Sequence, residues 1–161
     1  MGEMTEQALF NEDAAHKKFA VDCFNQIWPL LEKKERTDDD DAMMLRLAHT
    51  SLYHWLHFGK PVNEQRGEWM LARVYTVLGD KSHSLHHAQR CLALTEKHDL
   101  KDFDLAYGYE AIARASALNN LPVECKKYIE LARKAGEEID KKEDRDLFLN
   151  DLSSEPWFGM K

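Results

Sequence analysis

The stretch "RGEWMLARVYTVLGDKSHSLHHAQRCLAL", residues 66–94, meets the stretch "YGYEAIARASALNNLPVECKKYIELARKA", residues 107–135, when the chain is slid against itself by 41 residues. Few letters coincide, but their kinds agree. Gly67 meets Gly108, Leu71 meets Ile112, Ala72 meets Ala113 and Arg73 meets Arg114. Past the intervening turn, Ser84 meets Cys125, Ala88 meets Ile129 and Cys91 meets Ala132, all small or apolar and all on one helical face. Two antiparallel helices need small residues where they approach most closely and larger ones beside them, and each stretch supplies both. A recurring unit of this length is the mark of a stacked helical array.

Working outward, apolar residues continue to recur at spacings of three and four, and nothing alternates with a strand's period of two. Helices are expected over about 6–35, 41–58, 64–78, 82–97, 103–119 and 122–140, with a short seventh over about 143–152. The breaks have physical causes. "TDDDD" at 37–41 offers side-chain acceptors and negative charge to the bare amides that open a second helix. A calcium loop would need spaced ligands and a turn glycine, which those aspartates lack. Gly59 and Pro61 end one helix and admit the next, Gly79 is a left-handed stop followed by Asp80 or Ser82 as cap, and Pro122 suits a first turn. Pro29, inside the first helix, should kink or divide it. Trp157 and Phe158 make "LSSEPWFGMK" too aromatic for a free tail, so both are expected to dock on the stack.

The 161 residues suit one domain, with 29 acids against 22 bases and a net charge of -7. That balance disfavours phosphate backbones, so nucleic acid is not an expected partner. No apolar stretch approaches a bilayer span, and the first residues lack the apolar centre of a signal peptide, so a cytoplasmic location without a membrane partner is expected. Position 6 lacks the Ser or Thr of a myristoylation signal. Cys23, Cys91 and Cys125 are odd in number and widely spaced, which fits reduced, buried thiols better than a disulfide framework or zinc site.

The series Leu71, Ala72, Tyr75, Leu78, Gly79, Asp80, Ser84, Ala88, Cys91 resembles the tetratricopeptide repeat: large, small and aromatic positions, an "LGD" turn, then a small-residue second helix. The unit at 107–135 is similar through Tyr109, Ile112, Ala113, Cys125, Ile129 and Ala132, with Ser116 in place of the aromatic and Asn120 in place of the turn glycine. The 41-residue step is longer than that family's usual unit. "AHTSLYHW", "RGEWMLARVY" and "DFDLAYGYEAIARA" also resemble a group of bacterial proteins of this size, a likeness that implies no activity.

The tetratricopeptide resemblance implies an all-α, right-handed α-α superhelix of three antiparallel helix pairs: a degenerate first pair in 1–60, a second in 64–97, a third in 103–140, and a capping segment in 141–161. It further implies that the first helix of each pair lines a concave face, through Arg66, Trp69, Arg73 and Thr76, then Tyr107, Glu110, Arg114 and Ala117. Of these, Arg66, Trp69, Arg73, Tyr107, Glu110 and Arg114 form the candidate ligand-binding set. Three guanidinium forks beside a Trp and a Tyr suit a peptide or protein segment carrying an anionic or carboxylate feature. The competing reading is that Glu110 pairs with Arg73, or with Arg114 one turn on, along a solvated helix. Trp69 and Arg73 stand where the family's carboxylate clamp has Lys and Asn, so a chaperone tail is not the implied partner. Both ends of so short a stack are open, which leaves room for self-association.

Two other classes of function compete. His83 and His87, one turn apart, can chelate a transition metal if His49 or His57 supplies a third ligand, which would make a metal-dependent helical-bundle enzyme of His49, His83 and His87. The H-E-x-x-H pattern is absent, as are a phosphate loop, a G-x-S-x-G elbow and a locally paired Cys and His, so no catalytic residue, metal site or cofactor is assigned. Asp102 and Asp104 are read as caps of the fifth helix. His49 is expected at the half-buried edge of helix two's apolar arc of Leu45, Ala48, Leu52, Trp55 and Leu56, with His54 and His57 outside it. A small-molecule or signalling-peptide sensor is the third class, and it requires a closed pocket.

Overall fold

The computed structural model describes residues 11–161 as seven helices, with no strand among them: α1 (Glu12–Glu32), α2 (Asp38–Phe58), α3 (Pro61–Val77), α4 (Lys81–Lys97), α5 (Asp102–Leu118), α6 (Pro122–Glu137) and α7 (Lys142–Ser153). The part of the first helix expected over 6–10 lies outside the described residues. Adjacent helices pack as pairs, α1 with α2, α3 with α4 and α5 with α6, and α3 also lies against α5, which α7 touches from the other side. The fold is an all-α helical array. Its second and third pairs keep step: α3 and α5 begin at Pro61 and Asp102, and α4 and α6 begin at Lys81 and Pro122.

The turn chemistry explains most boundaries. Thr37 caps α2 through Asp40 N–H, and Asp40 returns the bond to the Thr37 amide, while Asp38 to Asp41 fill the first turn where the helix dipole favours anions. Asp80 accepts from the His83 amide to start α4, directly after Gly79 at φ +77°. Asn120 takes the corresponding left-handed position at φ +56°, which asparagine tolerates better than most residues. Gly59 ends α2 as expected. Its backbone is extended, and glycine is needed there because a Cβ would lie 2.7 Å from the Trp55 carbonyl oxygen.

Small residues line the contacts between pairs. Ala72, Ala88, Ala106, Ala113, Ala115 and Ala132 are buried, so backbones approach closely around α5. Gly67 sits against Leu52 and Gly108 against Thr95, as the 41-residue alignment requires of both glycines. Larger side chains, Met44, Leu71, Ile129, Ile139 and Phe148, fill the space beside them.

Three sequence expectations are corrected. Pro29 does not divide α1, which runs on to Glu32: the lost amide donor and the ring's clash with the carbonyl four residues earlier fall in the last turn, where little helix remains beyond them to redirect. Trp157 docks and is 1% exposed, whereas Phe158 stays 45% exposed, because the left-handed turn at Phe158 and Gly159 lets only one of the two rings face the core. Leu56 leaves the apolar arc of α2 and is exposed, since α2 packs α1 and α3 mainly through Met44, Ala48, Ser51 and Leu52. All three cysteines are free; Cys91 and Cys125 are buried and Cys23 only half-buried.

Candidate functional site

The odd-numbered helices present one common face, and its centre is a buried polar network. Glu110 on α5, 1% exposed, accepts from Trp69 Nε1 on α3 at 2.7 Å through one oxygen. Its other oxygen takes Arg114 Nε from one turn along α5, and Arg73 Nη1 from α3 at 3.5 Å. Arg114, also 1% exposed, then reaches past its helix: it donates to the carbonyls of Asp151 (2.8 Å), Ser154 (2.9 Å) and Pro156 (3.3 Å), and its guanidinium lies 4.2 Å from the Trp157 ring centre. Burial alone would raise the Glu110 pKa, but Arg114 and Arg73 and the donated hydrogen bonds outweigh it and hold the carboxyl ionised below its usual range.

The six candidate ligand-binding residues therefore divide. Arg114 and Glu110 pair as the competing reading required, though in the core instead of on a solvated helix, and neither is open to a ligand. Arg73 is largely covered beside them. Arg66 is half-exposed at the surface, where Asp104 holds it bidentately at 2.8 and 3.3 Å. Asp102 and Asp104 stand in the first turn of α5, where its dipole favours them as expected, but neither makes a cap hydrogen bond: Asp104 takes Arg66, and Asp102 accepts from the Asp140 amide. Trp69 and Tyr107, both mostly buried, face a groove with Arg66.

That groove has a volume of about 440 Å³, with aromatic side chains Phe24 and Trp28 from α1, Trp69 from α3, and Phe103 and Tyr107 from α5. Leu147 and Asp151 from α7 form the far wall, and Glu32 stands at the α1 rim. The rings touch in series: Trp28 and Trp69 centres are 6.0 Å apart, Trp69 and Tyr107 5.3 Å, Tyr107 and Phe103 4.7 Å. Tyr107 OH donates to Asp151 Oδ2 at 2.5 Å, and burial, reinforced by that carboxylate, raises the phenol pKa.

The α1 and α7 contributors lie outside the two repeat units that the sequence pattern aligns, 66–94 and 107–135. The signal existed: the step that joins Trp69 to Glu110 also reaches Trp28 in one direction and Asp151 in the other, and all four lie on this face.

On the other side of the array, the histidines are held by separate partners. His49 Nε2 lies 3.0 Å from Tyr75 OH; the Tyr75 ring stacks on His83 and on His87, with ring centres 4.9 and 5.4 Å away. His87 Nδ1 is 2.6 Å from Glu68 Oε2, whose other oxygen takes Arg90 Nε at 2.8 Å, while His83 Nδ1 pairs with Asp80. Among the described residues no group of three His, Cys, Asp or Glu side chains is disposed to hold a metal ion. His49 is exposed instead of half-buried, and His54 is the half-buried one, lying 2.8 Å from His16 Nδ1 because α1 covers that flank of α2. Partial burial, then the neighbouring histidine charges, lower the pKa of both His49 and His54.

Compared with protein-family models, with curated proteins and with solved structures, the chain matches none. The tetratricopeptide resemblance stands on the residues quoted above and on no relative. No helix among the described residues is long and apolar enough to cross a membrane.

Proposed function

We propose that the chain is a helical-repeat binding module that holds an apolar segment of a peptide or protein in the groove between α1 and α7. One observation carries the reading. A concavity of drug-sized volume, floored by five aromatic rings, is reached from outside, whereas isolated apolar side chains on a surface need no explanation. Aromatic rings give large contact area at low ordering cost, which is why they dominate recognition surfaces.

The proposal does not draw on the anionic feature suggested by three arginines, because Arg73 and Arg114 already pair with Glu110 and Arg66 with Asp104. Shape and apolarity remain. The test is selection of peptide binders from a random displayed library, followed by Leu147→Asp, which alters the exposed wall of the groove without touching the core. Selected peptides should lose the variant while its melting temperature stays unchanged. A library that yields no binder, or binders indifferent to Leu147→Asp, overturns the proposal.

A further inference from the structure

The charges around the groove are not balanced by one another. Arg66 at the rim is already taken by Asp104, and Arg73 and Arg114 behind the floor face Glu110 and the nearby Asp151 carboxylate. Across the groove and this network, Glu32, Asp104, Glu110 and Asp151 stand against Arg66, Arg73 and Arg114. The surplus is Glu32, an exposed carboxylate on the last turn of α1 that makes no ion pair among the described residues. One turn before it, on the same side of α1, the partly exposed Trp28 ring turns to the groove and is backed by Trp69. The negative face of an aromatic ring attracts a cation, and a carboxylate beside it adds to the attraction. An anion placed here would meet ring faces and an unmatched carboxylate.

Resting on the groove reading above, we propose that the bound segment anchors through a basic side chain, a lysine or arginine, seated against Trp28 and Glu32, with flanking apolar residues against Phe103, Tyr107 and Leu147. The partner is thus a basic, apolar peptide segment. The charge match agrees with the chain's net charge of -7, which draws such a segment from a distance. Specificity comes from the one position where the head meets both a ring face and an acid.

The experiment uses three acetylated, amidated pentapeptides, Leu-Leu-X-Leu-Ala with arginine, citrulline or glutamate at X, titrated into the isotope-labelled full chain. The indole N–H signals of Trp28 and Trp69 report binding. The arginine peptide should bind at least about fivefold tighter than the citrulline peptide, the size of one moderately desolvated cation–π contact, and the glutamate peptide weakest. Glu32→Gln should narrow the arginine-to-citrulline ratio through the arginine peptide, and Trp28→Leu, which takes a ring from the groove, should weaken both peptides and the arginine one more. Equal binding of arginine and citrulline peptides, or tightest binding of the glutamate peptide, overturns the basic anchor and leaves the groove reading intact. If none of the three moves either indole signal, the groove reading falls and the anchor with it.

Discussion

Replacing Arg114 by methionine removes a buried cation while keeping most of its volume, so the cavity contribution is small and the electrostatic one dominates. The guanidinium donates to Glu110 and to three backbone carbonyls, and the variant leaves all four with one donor fewer. Glu110 retains Trp69 Nε1 and the longer Arg73 contact, and the Asp151 carbonyl retains the Ser154 amide, so the loss falls most heavily on the Ser154 and Pro156 carbonyls. Breaking a buried pair by deleting one partner costs about 3–5 kcal/mol. For a chain of this size each kcal/mol moves the midpoint by about 2–4 °C, so the melting temperature should fall by roughly 10 °C. Urea unfolding followed by far-ultraviolet dichroism and by tryptophan fluorescence measures the difference. The fluorescence transition should also lose cooperativity, because Trp157 is released with residues 154–161. A cycle with Glu110→Gln should show coupling of at least about 1 kcal/mol. A loss under about 1 kcal/mol, or additive single variants, would refute the account of this network as the joint between the array and its terminal segment.

Other perturbations should behave differently. Arg66→Ala, which removes a half-exposed bridge to Asp104, should cost less than about 1 kcal/mol by the same urea assay. Gly136→Ala puts a Cβ against the ring of fully buried Phe148 and should destabilise by about 1–3 kcal/mol; a neutral result would show that α6 and α7 can move apart. Stability should fall as pH drops from 7.5 to 5.5. His49 and His54 have lowered pKa values, so the unfolded chain takes up protons first, and the loss begins at the ordinary histidine value near 6.5. Only further down, below the ordinary carboxylate value of 4.5, does Glu68, held low against its burial by His87 and Arg90, lose its contribution as it is protonated. Urea midpoints that do not change over this interval, or that change equally in a His49→Asn, His54→Asn chain, would contradict the assignment.

Helix starts were legible because they rest on local chemistry: Thr37, Asp80, Pro61 and Pro122 act through groups within one turn of themselves. The pairing of α3 with α4 and of α5 with α6 was legible for a related reason, since small residues at matching positions allow the same close approach twice. The site was less so. Arg66, Arg73 and Arg114 look alike in a pattern of letters, and only packing separates the half-exposed one from the two that meet Glu110. Asp104 and Asp151 gave no local sign that they would meet Arg66 and Tyr107, because both contacts join helices far apart in the chain.

Arg114 recognises the terminal segment almost wholly through main-chain oxygen atoms, those of Asp151, Ser154 and Pro156. Carbonyls are common to every residue type, so this latch is indifferent to the spelling of 153–155 and attentive only to the path of the backbone. The Trp157 ring is the one side chain of that segment that the guanidinium meets directly. At Arg114 the segment thus keeps its place by the course of its main chain, provided that its ring arrives where the cation waits.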